Sequence, residues 1–72
     1  MNNFGTTVYN NINNKYDGFL GLESDDGHIE YIRRNSIYSI VKESNGYWRL
    51  KTPHWEYIVA IQDISLIMRI IG

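Results

Sequence analysis

The chain has 72 residues, of which 43% are hydrophobic and 21% are charged, as is typical of one small globular domain near the lower size limit for a stable core. It contains no cysteine and has a formal net charge of −1, which excludes disulfides, thiolate metal sites and a strong overall attraction to nucleic acid or to an anionic membrane. Because so small a core usually needs a supplement, we expect a homo-oligomer.

The sequence also favours a cytoplasmic protein that binds no membrane. Its first residues lack the basic start and apolar run of a secretory signal. The most apolar stretch, residues 64–71, is interrupted by Ser65 and Arg69. It is shorter than the roughly 20 apolar residues that a membrane-spanning helix requires.

Residues 1–15 are predicted to form an N-terminal arm that precedes a single small β domain of residues 16–72. The arm is rich in Asn and Thr, which are poor helix formers. Its apolar residues and the first of the domain recur at steps of four: Phe4, Val8, Ile12 and Tyr16. This spacing indicates at most one helical turn.

Five strands are predicted from apolar and polar alternation and from the turns between them. They cover residues 19–24, 29–33, 37–43, 47–52 and 55–61. Asp25-Asp26-Gly27 and Asn45-Gly46 predict two hairpins, because glycine readily adopts the positive φ of a tight turn. Residues 34–36 form a corner, and Pro53 ends the fourth strand because proline cannot donate to a β-ladder.

The final segment, residues 63–72, fits two patterns. At strand spacing its apolar residues align: Ile64, Leu66, Met68 and Ile70. At helical spacing its small and charged residues cluster opposite a broad apolar arc: Ser65, Arg69 and Gly72. Because Asp63 would cap such a helix, we expect a short C-terminal helix, with a sixth strand as the alternative.

The predicted fold is therefore mainly β, a small five-stranded antiparallel meander in an SH3-like or Sm-like bent sheet or barrel, followed by that helix. An internal repeat indicates that the same structural unit, a strand followed by a corner, occurs twice in the fold. His28-Ile29-Glu30-Tyr31-Ile32 returns as His54-Trp55-Glu56-Tyr57-Ile58, and a polar corner follows each copy.

A family pattern covers the later part of the chain. Its elements are Asp26-Gly27, Glu30-Tyr31-Ile32, Ile37-x-x-Ile40, Tyr57-Ile58-Val59, Leu66-Ile67 and Ile70-Ile71. This arrangement resembles the small FlbD-type proteins of bacterial flagellar operons. The resemblance implies the fold alone, because the C-terminal segment is much more apolar here than the charged helix of that family.

The paired His-x-Glu steps are the pattern that best fits a metal site. Alternate residues of a strand point the same way, so His28 with Glu30 and His54 with Glu56 would bind a divalent cation if their strands were neighbours. The simpler interpretation is two solvent-facing pairs on amphipathic strands. We predict no metal site and no other cofactor.

The sequence offers no motif for catalysis. Cysteine is absent, no serine stands in a glycine-flanked turn, and the chain has neither a phosphate-binding loop nor a dinucleotide fingerprint. We therefore predict no catalytic residue and a protein that is not an enzyme.

Aromatic and basic residues of the strands form the predicted binding surface. Small β-folds bind single-stranded nucleic acid by stacking bases on rings beside cations, and tryptophan and tyrosine are common at protein interfaces. The candidates are Tyr31, Arg33, Arg34, Tyr47, Arg49, Lys51, Trp55 and Tyr57. The alternative is that the tyrosines complete a half-buried sheet and the cations keep its outer face soluble. Trp48 is expected in the core, and Trp55 is equally suited to core or interface.

Three functions fit these residues, one of them a purely structural assembly unit. The leading one is a non-catalytic interaction protein that binds another macromolecule, similar in size and composition to phage or mobile-element inhibitors of host defence such as anti-CRISPR proteins. The alternative is an oligomeric β-barrel that sequesters a nucleotide or single-stranded nucleic acid, with Tyr31, Arg33 and Arg34 of neighbouring subunits around it.

Overall fold

The computed structural model describes residues 7–61 and 64–71, the last two of them without their side chains. The described residues form six β-strands, a single-turn 3₁₀ helix at Arg34–Ser36 and a C-terminal α-helix. In chain order the strands and the α-helix are β1 (Val8–Asn13), β2 (Phe19–Ser24), β3 (Ile29–Arg33), β4 (Ser39–Lys42), β5 (Trp48–Lys51), β6 (Glu56–Val59) and α1 (Ser65–Ile71).

All of these strands belong to one mixed sheet with the order β3-β2-β1-β6-β5-β4. Two three-stranded antiparallel units, β1-β2-β3 and β4-β5-β6, make up the sheet. They are joined where β1 runs parallel to β6, with Val8 opposite Ile58 and Tyr9 opposite Val59. The sheet is not closed, so β3 and β4 are its two edges.

This architecture confirms the predicted mainly β fold with a short C-terminal helix. The five predicted strands correspond to β2–β6, and the ambiguous C-terminal segment is the helix α1. The sheet is not closed into a barrel, and its strands do not form the predicted five-stranded antiparallel meander, because β1 lies between β2 and β6 and runs parallel to β6. The predicted helix cap Asp63 and the terminal Gly72 lie outside the described residues.

The N-terminal segment differs from the expected arm, because residues 8–13 form β1 in the middle of the sheet. Tyr9 is 4% exposed, and Ile12 packs against the core. The register shifts between Tyr9 and Asn11, and this bulge lets Tyr9 and Ile12 face the core although three positions separate them. Of the residues whose spacing suggested a helical turn, Val8 and Ile12 therefore lie on a bulged strand, whereas Phe4 lies outside the described residues.

The hydrophobic core lies on one face of the sheet and beneath α1. Its buried hydrophobic side chains are Tyr9, Leu20, Leu22, Ile32, Leu50, Tyr57, Val59 and Ile67. Ile67 is fully buried, so α1 covers this part of the core. Trp48 packs against the core, whereas Trp55 is 67% exposed and lies outside it.

Both predicted glycine turns are present. Gly27 and Gly46 each have a φ of 91°, which lies in the left-handed region that suits glycine. The N–H of Gly27 donates to the carbonyl of Ser24, and the N–H of Gly46 donates to the carbonyl of Glu43. Local turn chemistry therefore fixes the β2–β3 and β4–β5 hairpins.

Candidate binding site

The two copies of the sequence repeat contact each other through Glu30 and Tyr57. Glu30 lies on the edge strand β3 and Tyr57 on β6, and two strands separate β3 from β6 in the sheet. In a flat sheet, three strand spacings would place them about 14 Å apart. Instead, the Tyr57 hydroxyl donates a hydrogen bond of 3.0 Å to Glu30 Oε2. The sheet is therefore strongly curled, and β3 bends back toward β6.

Glu30 also binds a second tyrosine and a histidine. The Tyr9 hydroxyl donates to Glu30 Oε1 at 3.0 Å, and His28 Nε2 lies 3.2 Å from the same oxygen. We call Tyr9, His28, Glu30 and Tyr57 the tyrosine–glutamate cluster. Because its members come from β1, β6 and the β3 region, one carboxylate holds the curl of the sheet.

The cluster shifts the acidity of its members. Burial is the largest single influence on Glu30 and raises its pKa, but the hydrogen bonds from His28, Tyr57 and Tyr9 together outweigh it, so the pKa of Glu30 is lowered from its ordinary 4.5. Burial first, and then the Glu30 carboxylate, raise the pKa of Tyr9 and of Tyr57 to about 12. At neutral pH the cluster is an ionised carboxylate bound by two neutral hydroxyls.

A pocket of about 240 Å³ lies beside the cluster, in the seam that the curled sheet leaves open. We call it the seam pocket, and its lining residues are Ile32, Arg33, Ser36, Thr52, Pro53, His54 and Tyr57. Ile32 and Tyr57 are buried, whereas Arg33 and His54 are exposed. Small-molecule sites usually measure about 300–1,000 Å³, so this pocket suits one inserted side chain better than a whole ligand.

The β5–β6 loop displays Trp55 next to this pocket. The Thr52 N–H donates to the Trp55 carbonyl at 2.9 Å, and the Thr52 hydroxyl donates to the same carbonyl at 2.7 Å. The Trp55 N–H donates back to Thr52 Oγ1 at 3.1 Å. The indole of Trp55 is therefore exposed on a loop whose backbone is fixed.

Tyr38 is as exposed as Trp55, at 67%, and lies at the same end of the sheet. Its N–H donates to the carbonyl of Lys51 at 3.0 Å, and Lys51 directly precedes Thr52. Tyr38 and Trp55 thus flank the end of β5. We call these two residues the aromatic end.

The residues predicted to bind a partner do not form one surface. Tyr57 is buried, and its hydroxyl is bound to Glu30. Arg49 pairs with Glu43 at 3.2 Å and with Glu56 at 3.0 Å, so its guanidinium is held by two carboxylates. Lys51 lies opposite Glu56 in the ladder.

Two other predicted residues pack on aromatic rings. Tyr31 meets Tyr16 edge to face, with ring centres 4.9 Å apart, and the guanidinium carbon of Arg33 lies 5.4 Å from the ring centre of Phe19. These contacts occupy surfaces that base stacking would use. Tyr47 is 37% exposed at the opposite end of β5 from Trp55.

Arg34 lines a second pocket, of about 280 Å³, at the β1–β2 loop and α1. We call it the arginine pocket, and its lining residues are Asn14, Tyr16, Asp17, Gly18, Phe19, Arg34, Leu66 and Arg69. Arg34 and Arg69 both line this pocket. Sequence reasoning missed Arg69, because its neighbourhood depends on how α1 packs.

The two His-x-Glu steps do not converge on a metal ion. β3 and β6 are not neighbours in the sheet, and Glu56 accepts a hydrogen bond from Arg49. Over residues 7–61 and 64–71, no three His, Asp or Glu side chains are grouped to hold a metal. In the part of the chain that the structure describes, the two copies of the repeat are instead joined by the hydrogen bond between Tyr57 and Glu30.

Comparisons with protein-family models, with curated proteins and with solved structures find no match to this chain. The resemblance to FlbD-type proteins therefore stays a prediction. Among the described residues, no helix has the length and apolar character needed to cross a membrane. The geometry of the aromatic end and of the two pockets is thus the basis for a functional proposal.

Proposed function

We propose that the protein is a non-catalytic interaction protein that binds another protein through the aromatic end. The observation that carries this proposal is the 67% exposure of Trp55 on a loop fixed by three hydrogen bonds to Thr52. Tryptophan and tyrosine are among the residues most enriched at interface hot spots. Tyr38 is equally exposed at the same end of the sheet.

The fixed loop makes Trp55 an effective anchor. A tryptophan buries roughly 200 Å² when it enters a pocket, and covering about two thirds of that area contributes about 3 kcal/mol at about 25 cal/mol per Å². Because the loop is already ordered, little of this gain is offset by lost conformational entropy. One such residue therefore accounts for about a hundredfold in affinity.

In its finer form, the proposal is a homo-oligomeric inhibitor from a phage or mobile element that blocks a host defence complex in the cytoplasm. The small size, the composition and the exposed aromatic end support it. Phage plaques counted on a host with active defence provide the test. Expression of the wild type should raise plaque numbers and Trp55→Ala should not, whereas equal plaque numbers with and without the wild type would contradict the inhibitor role.

A binding experiment tests the aromatic end directly. Wild type, Trp55→Ala and the control Tyr47→Ala are used as bait, and the strongest partner is then produced recombinantly and titrated by calorimetry. We expect Trp55→Ala to weaken binding at least tenfold, which is about 1.4 kcal/mol, and Tyr47→Ala to change it less than twofold. Circular dichroism checks that each variant folds. Unchanged binding by Trp55→Ala would refute the proposal.

The arginine pocket favours a second function, the binding of the phosphate group of a nucleotide or of another anion, because its volume of about 280 Å³ is also below the usual size of a site for a whole small molecule. Guanidinium groups match phosphate in charge and geometry, and Arg34 and Arg69 both line the pocket. Tyr16 is 51% exposed there, although its ring already contacts Tyr31. Asp17 also lines the pocket, and its negative charge would repel a bound anion. For this reason anion binding is our second proposal and not the first.

Titration with ATP, cyclic nucleotides and short single-stranded oligonucleotides tests this second function. Arg69→Gln should weaken binding at least tenfold, and affinity should fall as salt concentration rises. Arg49→Gln is the matched control, because Arg49 lies outside the pocket. An absence of binding at millimolar nucleotide would exclude the function.

A further inference from the structure

We propose that the free edge of β3 takes one extended segment of the protein partner as an added strand. A basic side chain of that segment lies against Glu30, and an apolar side chain enters the seam pocket. This inference rests on the proposed protein-binding function and specifies what the partner presents. In such strand addition, backbone hydrogen bonds supply affinity and side-chain pockets supply specificity.

The outer edge of β3 presents backbone groups in the spacing of a β-ladder. The N–H of Ser24 donates to the carbonyl of His28, and the N–H of Arg34 donates to the carbonyl of Gly18. Alternate residues of a strand bond the same neighbour, so with this register residues 28, 30, 32 and 34 bond β2. The N–H and C=O groups of Ile29 and Tyr31 therefore point away from β2, and no described strand pairs with that side.

The other edge of the sheet is less suited to an added strand. β4 has four residues where β3 has five, and it carries Lys42, a residue type that discourages pairing on edge strands. The Lys42 ammonium lies 5.7 Å from the Trp48 ring centre. On β3, the Ser36 hydroxyl donates to the Arg33 carbonyl at 2.7 Å and so limits the free edge to the part around Ile29 and Tyr31.

The negative charge of Glu30 favours a basic residue of the partner opposite it. An ionised carboxylate has about four acceptor sites. Oε1 is near the Tyr9 hydroxyl and His28 Nε2, whereas Oε2 is bound by the Tyr57 hydroxyl, so Oε2 has room for another donor. The Glu30 side chain is 37% exposed, and the exposed Asp25-Asp26 turn adds negative charge nearby. A lysine or arginine of the partner complements this site.

The seam pocket favours an apolar residue at a second position of the partner strand. Residues two apart on a strand point to the same face, and Ile32, which lines the pocket, lies two residues after Glu30. A partner strand with a basic residue opposite Glu30 therefore places its next same-face residue toward the pocket. The expected segment is basic-x-apolar in one strand direction and apolar-x-basic in the other.

Nuclear magnetic resonance with synthetic peptides tests this inference. The probes are Ac-Thr-Lys-Thr-Leu-Thr-NH₂, its reverse Ac-Thr-Leu-Thr-Lys-Thr-NH₂, and both peptides with glutamate in place of lysine. Ile29→Pro removes an outward N–H and should be tolerated at an edge. Ile29→Ala keeps that N–H, and Lys42→Pro removes the equivalent N–H on β4.

We expect one lysine peptide to bind at least tenfold more tightly than its glutamate counterpart. At saturation it should slow hydrogen exchange of the Ile29 and Tyr31 amides at least tenfold. Ile29→Pro should weaken binding at least tenfold, and Ile29→Ala and Lys42→Pro less than twofold. The lysine–glutamate comparison in the wild type keeps the test valid even if Ile29→Pro does not fold.

Any of four results would overturn the inference: no amide shifts at millimolar peptide, equal binding of both peptide types, shifts confined to β4, or protection of Ile29 by a second copy without peptide. The protein-binding function is judged separately by Trp55→Ala. If Trp55→Ala abolishes partner binding but no peptide binds, only the proposal for the β3 edge is refuted. If a peptide binds but Trp55→Ala leaves partner binding unchanged, only the proposal for the aromatic end is refuted.

Discussion

Glu30 stabilises the curl of the sheet through its charge, and glutamine at this position removes that charge. We expect Glu30→Gln to lose about 1 kcal/mol of unfolding free energy at pH 7, which is less than the roughly 1.5–3 kcal/mol typical of hydrogen bonds to a charged group, because 37% of the side chain is exposed. Since the pKa of Glu30 is lowered by folding, this stability is present above pH 4.5 and is lost as pH falls through the folded pKa.

Urea unfolding at pH 7 and at pH 3 measures this effect, and the difference between wild type and Glu30→Gln should shrink at the lower pH. Asp25→Asn is the control, because it removes one carboxylate at an exposed turn and should change stability by less than about 0.5 kcal/mol. A loss in Glu30→Gln that is equally large at both pH values would mean that shape, and not charge, is responsible.

Tyr9 and Tyr57 make the stability of the fold depend on pH in the alkaline range. Their pKa values are raised by folding from 10.0 to about 12, so their contribution to stability is complete below pH 10 and is lost as pH rises toward 12. Ultraviolet titration of the folded protein should show two tyrosines ionising near pH 12. Tyr9→Phe and Tyr57→Phe should each remove one of them, and an unchanged titration in both variants would exclude the assignment.

Gly21 is required for close approach rather than for a turn. A Cβ at this position would meet Asn13 Oδ1 and would lie 2.8 Å from Tyr31 Cε1. We expect Gly21→Ala to lose about 1–3 kcal/mol of unfolding free energy through overpacking, measured by urea unfolding. Because Asn13 is one of the two obstructing side chains, the loss should be smaller in an Asn13→Ala background. An equal loss in that background would argue against crowding by Asn13.

Strands β2–β6 could be predicted because each is bounded by local signals. Gly27 and Gly46 mark the two tight turns, and Pro53 marks the end of β5. β1 lacks such signals, since its bulge changes the spacing of Tyr9 and Ile12 and its neighbours in the sheet come from distant parts of the chain. Its polar sequence became a strand because it is paired on both sides, a tertiary effect that propensity does not encode.

The candidate site was only partly predictable for a related reason. The residue type of Trp55 alone makes it a candidate for an interface. The Tyr57 hydroxyl was not assigned to Glu30, although the repeat contains both residues, because their contact depends on how far the sheet curls. Arg49 looked available for binding, but the carboxylates of Glu43 and Glu56 reach it only across neighbouring strands.

β1 should be essential for folding, because it is the strand that joins the two antiparallel units. We expect a chain without residues 1–13 to lose its cooperative thermal transition and its β-type circular dichroism. Addition of a synthetic peptide of residues 1–13 should restore both signals. A truncated chain that folds without the peptide would show that β1 is dispensable, as the prediction of an arm implied.

At the scale of the whole molecule, our expectation of a homo-oligomer can be argued from exposed apolar side chains. Among the described residues, the large apolar ones that are at least half exposed are Tyr16, Ile29, Tyr38, Trp55 and Met68. A fully buried core of few side chains offers a domain of this size limited stability. Association that covers some of these residues would add to that stability without enlarging the chain.

Self-association predicts that thermal stability depends on protein concentration. If copies dimerise with a Kd of about 1 μM, the concentration of free chain grows only as the square root of the total, so a total concentration a hundredfold above this Kd stabilises the folded state by about 1.6 kcal/mol. For a domain of this size, each kcal/mol shifts Tm by about 4–8 °C, so we expect a rise of about 6–13 °C. Calorimetry measures Tm, and light scattering on the same samples gives the mass. A constant Tm together with a monomer mass would exclude the homo-oligomer, and the aromatic end would then be available in full to a different protein.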